Sequence, residues 1–199
     1  MFNFESMETL VKKNRKQQIE ETATTLFKER GYAATSMRDL AQVLGIEAAS
    51  LYSHIKSKEE ILQKICFRMA GEFFEAWKGV ASENSSFAAK IKKAAAAHVE
   101  VITKDTAASA VFFNEWRHLS EPFLSDFLAM RNDYEGRFIQ IIEDGIKSGE
   151  FESVDTRFTM LTILSSLNWT HNWYKPHGSL TPEEIGSRLS KLILNGLKK

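Results

Sequence analysis

Four side chains that donate hydrogen bonds stand within five positions of one another: Ser50, Tyr52, Ser53 and His54. Hydroxyl and imidazole groups bond to base edges and to phosphate oxygens, and both kinds of contact hold a protein on a duplex. The preceding Ala49 is small enough to let the leading turn of a helix enter the major groove. These residue types predict a surface that contacts nucleic acid, provided that a helix turns them outward.

A short helix is predicted just ahead of this surface. Thr35 or Ser36 caps its first turn, where the carboxylate of Asp39 faces the positive end of the helix dipole. Gly45 follows its last apolar residue and adopts the left-handed backbone that often ends a helix. Apolar residues at helical spacing predict its buried stripe, which consists of Met37, Leu40, Ala41, Val43 and Leu44.

The next predicted helix carries the candidate contacts. It spans about residues 47–55 and buries Leu51 and Ile55, which lie one turn apart. Ser57 caps the helix after it, with Glu60 three residues on as in a capping box. Two helices bent around a glycine are typical of a DNA-binding helix-turn-helix, although the same pattern also occurs in ordinary helical cores.

The segment from Phe27 to Leu62 resembles the N-terminal signature of the TetR family of bacterial repressors. Two departures are Ile55, where the family usually has Phe, and Glu47-Ala48-Ala49, which replaces a more polar, glycine-containing lead-in. The operator sequence therefore does not follow by analogy. The matching residues are Phe27-Lys28-Glu29-Arg30-Gly31-Tyr32, Thr35-Ser36-Met37-Arg38-Asp39-Leu40-Ala41, Gly45, and Leu51-Tyr52-Ser53-His54-Ile55-Lys56-Ser57-Lys58-Glu59-Glu60-Ile61-Leu62.

The resemblance implies a homodimer that binds a palindromic double-stranded DNA operator and responds to a small-molecule effector. It places Ala49, Ser50 and Ser53 nearest the bases. Tyr52, His54 and Lys58 fall mainly on phosphates, although a half-buried Tyr52 and a solvated Lys58 are ordinary alternatives. The predicted domains are 1–57 for DNA binding and 58–199 for ligand binding and dimerisation. The full set of implied DNA contacts is Thr35, Ser36, Ala49, Ser50, Tyr52, Ser53, His54 and Lys58.

The overall charge argues against a surface that clings to nucleic acid everywhere. The formal net charge is zero, and residues 1–66 carry ten Lys or Arg against nine Asp or Glu. Any positive field must therefore be local. The basic arm at residues 12–16, with Lys12, Lys13, Arg15 and Lys16, either lies along DNA or is a solvated terminus.

The remaining composition predicts a cytoplasmic protein. We expect neither a membrane span nor a secretion signal, because no apolar run approaches the roughly 18 residues that a spanning helix needs. The single cysteine, Cys66, permits no disulfide within the chain, which fits a reducing compartment. No glycine-rich phosphate loop occurs, and we expect no cofactor and no resident metal.

The whole chain is predicted to be all-α. With three prolines and no alternating strand pattern, helices account for the rest of the sequence. The helix that starts at Lys58 passes from one domain into the other. Together with helices near residues 15–30, 36–44 and 47–55, the predicted helices are 58–80, 85–104, 106–119, 122–148, 155–174 and 182–197, nine in all.

Aromatic residues concentrate in the C-terminal part, where most of them are expected to be core. Polar residues recur among them, which favours an apolar cavity with a few polar anchors. This half is similar to the TetR subgroup that controls fatty-acid, sterol or aromatic-acid breakdown, which implies an acyl-CoA or hydrophobic-acid effector with Arg117 or Arg131 on its carbonyl or phosphate groups. The candidate ligand residues are Phe112, Phe113, Trp116, Arg117, Phe127, Arg131, Tyr134, Phe138, Asn168, Trp169, His171 and Trp173.

The last two helices carry apolar faces that either join two protomers or pack within one chain. We favour the dimer, by the family resemblance. These faces consist of Leu161, Ile163, Leu164 and Leu167 on one helix, and Ile185, Leu189, Leu192 and Ile193 on the other.

An enzyme or metal-binding bundle is the alternative function. Glu115 and His118 have the spacing of di-iron ligands, but such a site needs a second Glu-x-x-His pair, and none occurs. Cys66, His98 and Ser165 suggest nucleophilic chemistry only weakly, because no activating neighbour stands beside any of them.

Overall fold

The computed structural model describes residues 14–81 and 85–197, and every regular element within those ranges is helical. This confirms the predicted all-α class. The helices are α1 (Arg15–Arg30), α2 (Met37–Val43), α3 (Ala48–Tyr52), α4 (Lys58–Ala81), α5 (Phe87–Lys104), α6 (Thr106–Asn114), α7 (Phe123–Lys147), α8 (Thr156–Asn168), α9 (Thr170–Trp173) and α10 (Pro182–Asn195).

Two predicted helices are interrupted. A 3₁₀ turn at Trp116–His118 follows α6 where one helix to residue 119 was expected. Only Trp169 separates α8 from α9, so the expected helix 155–174 is present in two pieces. If those two pieces are counted as one, the described ranges hold the nine predicted helices.

Local capping chemistry sets the helix starts in the N-terminal part. Ser36 caps α2 and forms a reciprocal capping box with Asp39. Before α4 the expected box is only half formed: Ser57 Oγ accepts from Glu60 N at 3.1 Å, while the Glu60 carboxylate accepts from Lys56 N at 2.7 Å.

The helix-turn-helix differs from its prediction in two details. Helix α3 ends at Tyr52 instead of near Ile55, because Ser53 Oγ donates to the Ser50 carbonyl at 2.7 Å and competes with the helical bonds. Val43, which was expected in the buried stripe, is 58% exposed, since the other apolar residues of α2 already fill its inner face. Gly45 has the expected positive φ of 63°.

One hydrophobic cluster joins the N-terminal helices α1–α3 to the central helices. It runs without interruption from Phe27 and Leu40 through Ile65 on α4 to Phe73 and Phe127. A second cluster fills the C-terminal half between α5, α7, α8 and α10. The N-terminal helices and the central helices therefore share one close-packed core.

Helix α10 lies unusually close to α5. A Cβ added at Gly186 would lie 2.8 Å from the Ala96 Cα atom, so only glycine permits this backbone approach. Within the described ranges, no helix combines the length and the apolar character required to cross a bilayer. Lys12 and Lys13 of the predicted basic arm lie outside the described residues, whereas Arg15 begins α1.

Candidate DNA-binding surface and ligand cavity

The outer face of α3 is open. Ala49, Ser50 and Ser53 are exposed, and Tyr52 retains 54% of its accessible surface. The inner face is held by Leu51, which is fully buried. In the described part of the chain, no hydrogen bond to the side chains of Ser50, Tyr52 or His54 is found. The helix therefore presents side chains that can form bonds with an outside partner, as predicted.

The side chain of Thr35 does not belong to this surface, and its predicted role as a contact needs correction. It is 1% exposed, and its hydroxyl donates to the Gly31 carbonyl at 2.9 Å and toward the Leu26 carbonyl at 3.4 Å. These bonds hold the loop between α1 and α2. The neighbouring Ser36 is exposed, but its hydroxyl is used in the capping box.

Lys58 is also committed inside the chain. Its Nζ atom donates to the carbonyls of Tyr32 and Thr35, at 2.7 Å each, and lies 4.0 Å from the centroid of the Tyr32 ring. Burial lowers the pKa of this amine, against the raising effect of Glu115. A free lysine on a phosphate was expected, whereas the structure gives this residue a role in joining α4 to the loop before α2.

A cavity of about 240 Å³ lies between α4, α5, α6, α7 and α8. Its wall is rich in aromatic residues, and the lining residues Arg117, Arg131, Leu161 and Ser165 are exposed. Eight of the predicted ligand residues line it: Phe112, Phe113, Trp116, Arg117, Phe127, Arg131, Tyr134 and Asn168.

Four predicted ligand residues lie elsewhere. Phe138 is fully buried against Trp77, at a ring separation of 4.8 Å. Trp169 and Trp173 are 63% and 41% exposed, because the break after α8 turns them outward. His171 packs behind the wall, where its ring stacks on Phe113 and its Nδ1 contacts the Asn168 carbonyl at 2.6 Å.

The cavity also has a wall that the sequence pattern does not reveal. Ala70, Phe73 and Phe74 have the helical spacing of a shared face on α4, but that spacing does not distinguish a cavity wall from a packed core. His98 stands among alanines on α5, and its neighbours in the sequence do not point to a ligand. The missed lining residues are Ala70, Phe73, Phe74, His98, Met130, Glu135, Leu161, Leu164 and Ser165.

His98 forms the centre of a buried polar group. Its Nδ1 lies 2.9 Å from the Tyr134 hydroxyl, and its Nε2 lies 2.9 Å from Asn168 Oδ1. Burial lowers the pKa of His98 to about 4, so the ring is neutral at physiological pH. Burial likewise raises the pKa of the Tyr134 phenol well above its usual range.

Two arginines of the cavity lining lie beside an aromatic ring. The guanidinium of Arg117 lies 4.4 Å from the centroid of the Trp116 ring, and that of Arg131 lies 5.4 Å from it. Arg131 Nε also pairs with the Glu135 carboxylate at 2.7 Å. This arrangement suits a ligand that has an apolar body and an anionic head.

The turn that carries Trp116 also touches the DNA-binding part. The His118 ring stacks on Tyr32 with a centroid separation of 5.0 Å, and His118 Nε2 lies 3.4 Å from the Glu115 carboxylate. Just after the turn, Ser120 N donates to Glu59 Oε1 at 2.9 Å. The cavity wall and the start of α4 are therefore joined by direct contacts.

These contacts also account for the pair that suggested a metal site. Glu115 and His118 pair with each other, and among the described residues no group of three or more His, Cys, Asp or Glu is placed to hold a metal ion. Cys66 is buried, and desolvation raises the pKa of its thiol to about 12, which leaves it unreactive.

The predicted dimer faces are divided between interior and surface. Ile163, Leu167 and Ile185 are buried in their own chain, so their assignment to a contact between protomers is wrong. Leu164 is similarly only 7% exposed. Four large apolar side chains of this part of the chain remain exposed: Phe158, Leu161, Trp169 and Leu192, with exposed fractions of 70%, 43%, 63% and 72%.

Both parts of the chain match known family models. Residues 19–65 match the model described as bacterial regulatory proteins, tetR family, and residues 84–197 match the model described as tetracyclin repressor-like, C-terminal domain. The second match alone covers more than half of the chain. This chain belongs to the TetR family of bacterial transcriptional regulators. Its helix-turn-helix is accordingly a DNA-binding element, and the regulator class is favoured over the enzyme alternative.

Individual relatives of this TetR-family chain span nearly its whole length. The transcriptional repressor KstR2 of Rhodococcus jostii is 27% identical over 96% of this chain and 94% of the relative. The solved ketosteroid transcriptional regulator KstR2 of Mycobacterium tuberculosis has a TM-score of 0.86 and 26% identity over 94% of this chain and 96% of that one. AibR, solved with isovaleryl coenzyme A and operator DNA, shares the fold, with a TM-score of 0.77 and 24% identity over 90% of this chain and 97% of that one.

Proposed function

We propose that this protein is a cytoplasmic repressor that binds a palindromic operator as a homodimer and releases it when an acyl-CoA-like effector enters the cavity. The observation that carries the proposal is the combination of an open recognition helix with a cavity whose lining is rich in aromatic residues and includes two exposed arginines. Bacterial DNA lies in the cytoplasm, which is where the protein would act.

We infer that α3 enters the major groove with Ala49 and Ser50 nearest the bases. Tyr52 and His54 then contact phosphates, while Ser53 contributes less because its hydroxyl already bonds within the helix. The charge of the N-terminal part is close to neutral, so a single copy has little non-specific attraction for DNA. Operator binding therefore depends on two recognition helices about 34 Å apart.

The apolar patch formed by Phe158, Leu161, Trp169 and Leu192 is the proposed contact between protomers. Exposed apolar side chains of this size on a soluble protein often mark an interface. Because a twofold interface uses the same patch on both copies, α8 and α10 of each protomer would meet as four helices.

The size of the cavity limits which part of an effector it can enclose. Pockets that enclose whole drug-sized ligands measure roughly 300–1,000 Å³. The present cavity, at about 240 Å³, suits an acyl group, with the bulk of a coenzyme A moiety outside. Arg117 would meet its phosphates, since Arg131 is already paired with Glu135.

The turn at Trp116–His118 is the proposed link between ligand and DNA. Ligand entry displaces Trp116, and the displacement passes through His118 to Tyr32 and through Ser120 to Glu59. Lys58 binds the loop before α2, so a tilt of α4 moves the recognition helix as well. The protein then has two states, one that fits DNA well and one that fits it poorly. The effector releases DNA because it binds the second state more tightly than the first.

Two variants test the DNA and ligand parts separately. Tyr52→Ala should weaken binding to an operator fragment from the protein's own promoter about tenfold while the melting temperature stays unchanged. Trp116→Ala should bind the operator normally but respond weakly to octanoyl-CoA in the same assay. Normal operator affinity in Tyr52→Ala, or a full response in Trp116→Ala, would count against the respective assignment.

The link itself is tested with His118→Ala. This variant should keep the affinity for operator and for octanoyl-CoA, each measured alone, and lose most of the effect of one on the other. Lys90→Ala is a control, because Lys90 also lies over an aromatic ring, that of Phe87, but neither residue lines the cavity or belongs to the turn. Undiminished release in His118→Ala would remove the turn from the proposed route.

A further inference from the structure

The polar group in the cavity wall has an unused hydrogen-bond donor. His98 is neutral and has one ring proton, and both of its nitrogens face polar atoms at 2.9 Å. Asn168 Oδ1 can only accept, so the proton must be on Nε2. Nδ1 is then an acceptor, and the Tyr134 hydroxyl donates to it. The orientation of all three side chains is fixed by this sequence of bonds.

In this arrangement the side-chain oxygen of Asn168 is hydrogen-bonded, whereas its side-chain nitrogen is not bonded to any residue that the structure describes. Its oxygen accepts from His98, but its Nδ2 carries two N–H groups, and no acceptor for them is found in residues 14–81 and 85–197. Asn168 lines the cavity, and its backbone carbonyl is held by His171 at 2.6 Å. The residue that carries this donor is therefore held in place and borders the ligand space.

An apolar ligand would cover this donor without satisfying it. A buried N–H that has lost water and gained no acceptor lowers the affinity for the ligand by about tenfold or more. A ligand oxygen placed there would gain a hydrogen bond in a poorly hydrated environment, where such bonds discriminate strongly between analogues. Aromatic rings of the wall lie close to this polar group, including Phe73, whose ring lies 4.6 Å from that of His98.

We infer that the effector carries a carbonyl or hydroxyl oxygen on its buried, apolar portion, and that Asn168 Nδ2 recognises this oxygen. Asn168 is thus a specificity residue, while His98 and Tyr134 orient it. The inference rests on the proposed acyl-CoA effector and narrows it to oxygenated acyl groups over plain hydrocarbon chains.

The test uses hexanoyl-, octanoyl- and decanoyl-CoA, each beside derivatives with a ketone or a hydroxyl on the carbon next to the terminal methyl. At the chain length whose oxygen reaches Asn168, titration calorimetry should give about tenfold tighter binding of the ketone than of the plain chain. Equal affinity at every length, with operator release intact, would overturn this inference and leave the proposed function standing. If no thioester binds, the effector class and this inference fail together.

A substitution at Asn168 distinguishes its proposed recognition of the ligand oxygen from its structural hydrogen bond to His98. Asn168→Asp keeps an acceptor for His98 Nε2 but replaces the donor with a second acceptor. This variant should therefore lose the ketone preference and bind the hydroxyl derivative best, a reversal that a merely structural role would not produce. Asn132→Asp makes the same change on an exposed part of α7 and should leave the order of affinities unchanged. An unaltered ketone preference in Asn168→Asp would exclude Nδ2 as the donor.

A measurement on the unmodified protein covers the case in which Asn168→Asp does not fold. The carbonyl stretch of the isotopically labelled ketone should shift to lower frequency when the ligand is bound, relative to the same ketone in hydrocarbon solvent. An unshifted band would mean that no donor reaches the oxygen and would overturn the inference.

Discussion

The recognition helix and the cavity wall use the same kinds of polar residues in opposite ways. On α3, Tyr52 is half exposed and makes no hydrogen bond to the described part of its own chain. In the cavity wall, the Tyr134 hydroxyl bonds to a fully buried histidine. The first tyrosine is free for a partner and contributes little to stability, whereas the second serves the fold as well as the ligand site. Substitutions in the two regions should therefore have separable consequences.

The largest expected effect is a pH dependence of stability that originates in the cavity wall. His98 has a pKa of about 4 in the folded protein and about 6.5 when unfolded. Between these values the unfolded chain binds a proton that the folded chain does not, so stability falls as the pH decreases from 6.5 to 4. The loss should reach about 3 kcal/mol, measured by urea unfolding across that range.

Two substitutions assign that pH dependence to its source. His98→Gln should lower stability at neutral pH but remove most of the decrease on acidification. His177→Gln replaces an exposed histidine and should leave the decrease in place. His171, whose pKa is also lowered by burial, stays in both variants and shifts both curves alike. If the free energy of unfolding depends on pH in the same way in both variants, the buried His98 is not the source of the decrease.

A matched pair of tyrosine substitutions gives an intermediate effect. Tyr134→Phe leaves His98 Nδ1 without its donor inside the protein, which should cost about 1–3 kcal/mol in the free energy of unfolding. Tyr52→Phe removes the same atom from a half-exposed ring and should leave the unfolding curve unchanged while weakening operator binding. A destabilised Tyr52→Phe would mean that the recognition helix uses its hydroxyl internally.

The same contrast explains how much the sequence could predict. The helix-turn-helix depends on residues close in sequence, such as the Ser36–Asp39 capping box and the positive φ at Gly45, so its spacing was sufficient to locate it. The cavity depends on how five helices meet. Spacing alone did not indicate that Phe73 on α4 would face Phe112, or that Trp169 would turn outward at a break in its helix.

Polar residues were the hardest to assign for the same physical reason. Thr35 and Lys58 carry groups that suit DNA phosphates, but each finds backbone carbonyls within the chain. The sequence does not show which backbone carbonyls will lack a helical hydrogen bond, because that is decided only when the loop folds. The exposed apolar residues on α8 and α10 show the reverse case. Their sequence pattern is that of buried core residues, and only the positions of the neighbouring helices show that they are exposed.

The smallest expected effect concerns Thr35, a residue of the DNA-binding part whose side chain is buried like that of His98 in the cavity wall. Thr35→Val removes the hydroxyl that donates to the Gly31 carbonyl, which should lower the free energy of unfolding by about 1 kcal/mol. Operator affinity of the folded protein should not change, because the side chain is 1% exposed and cannot reach a phosphate without unfolding the loop. Thr35→Ser keeps the hydroxyl and should restore most of the stability. If Thr35→Val instead loses operator affinity at unchanged stability, the loop before α2 must open on DNA. Thr35 would then be a residue that contacts DNA and not one that only supports the fold.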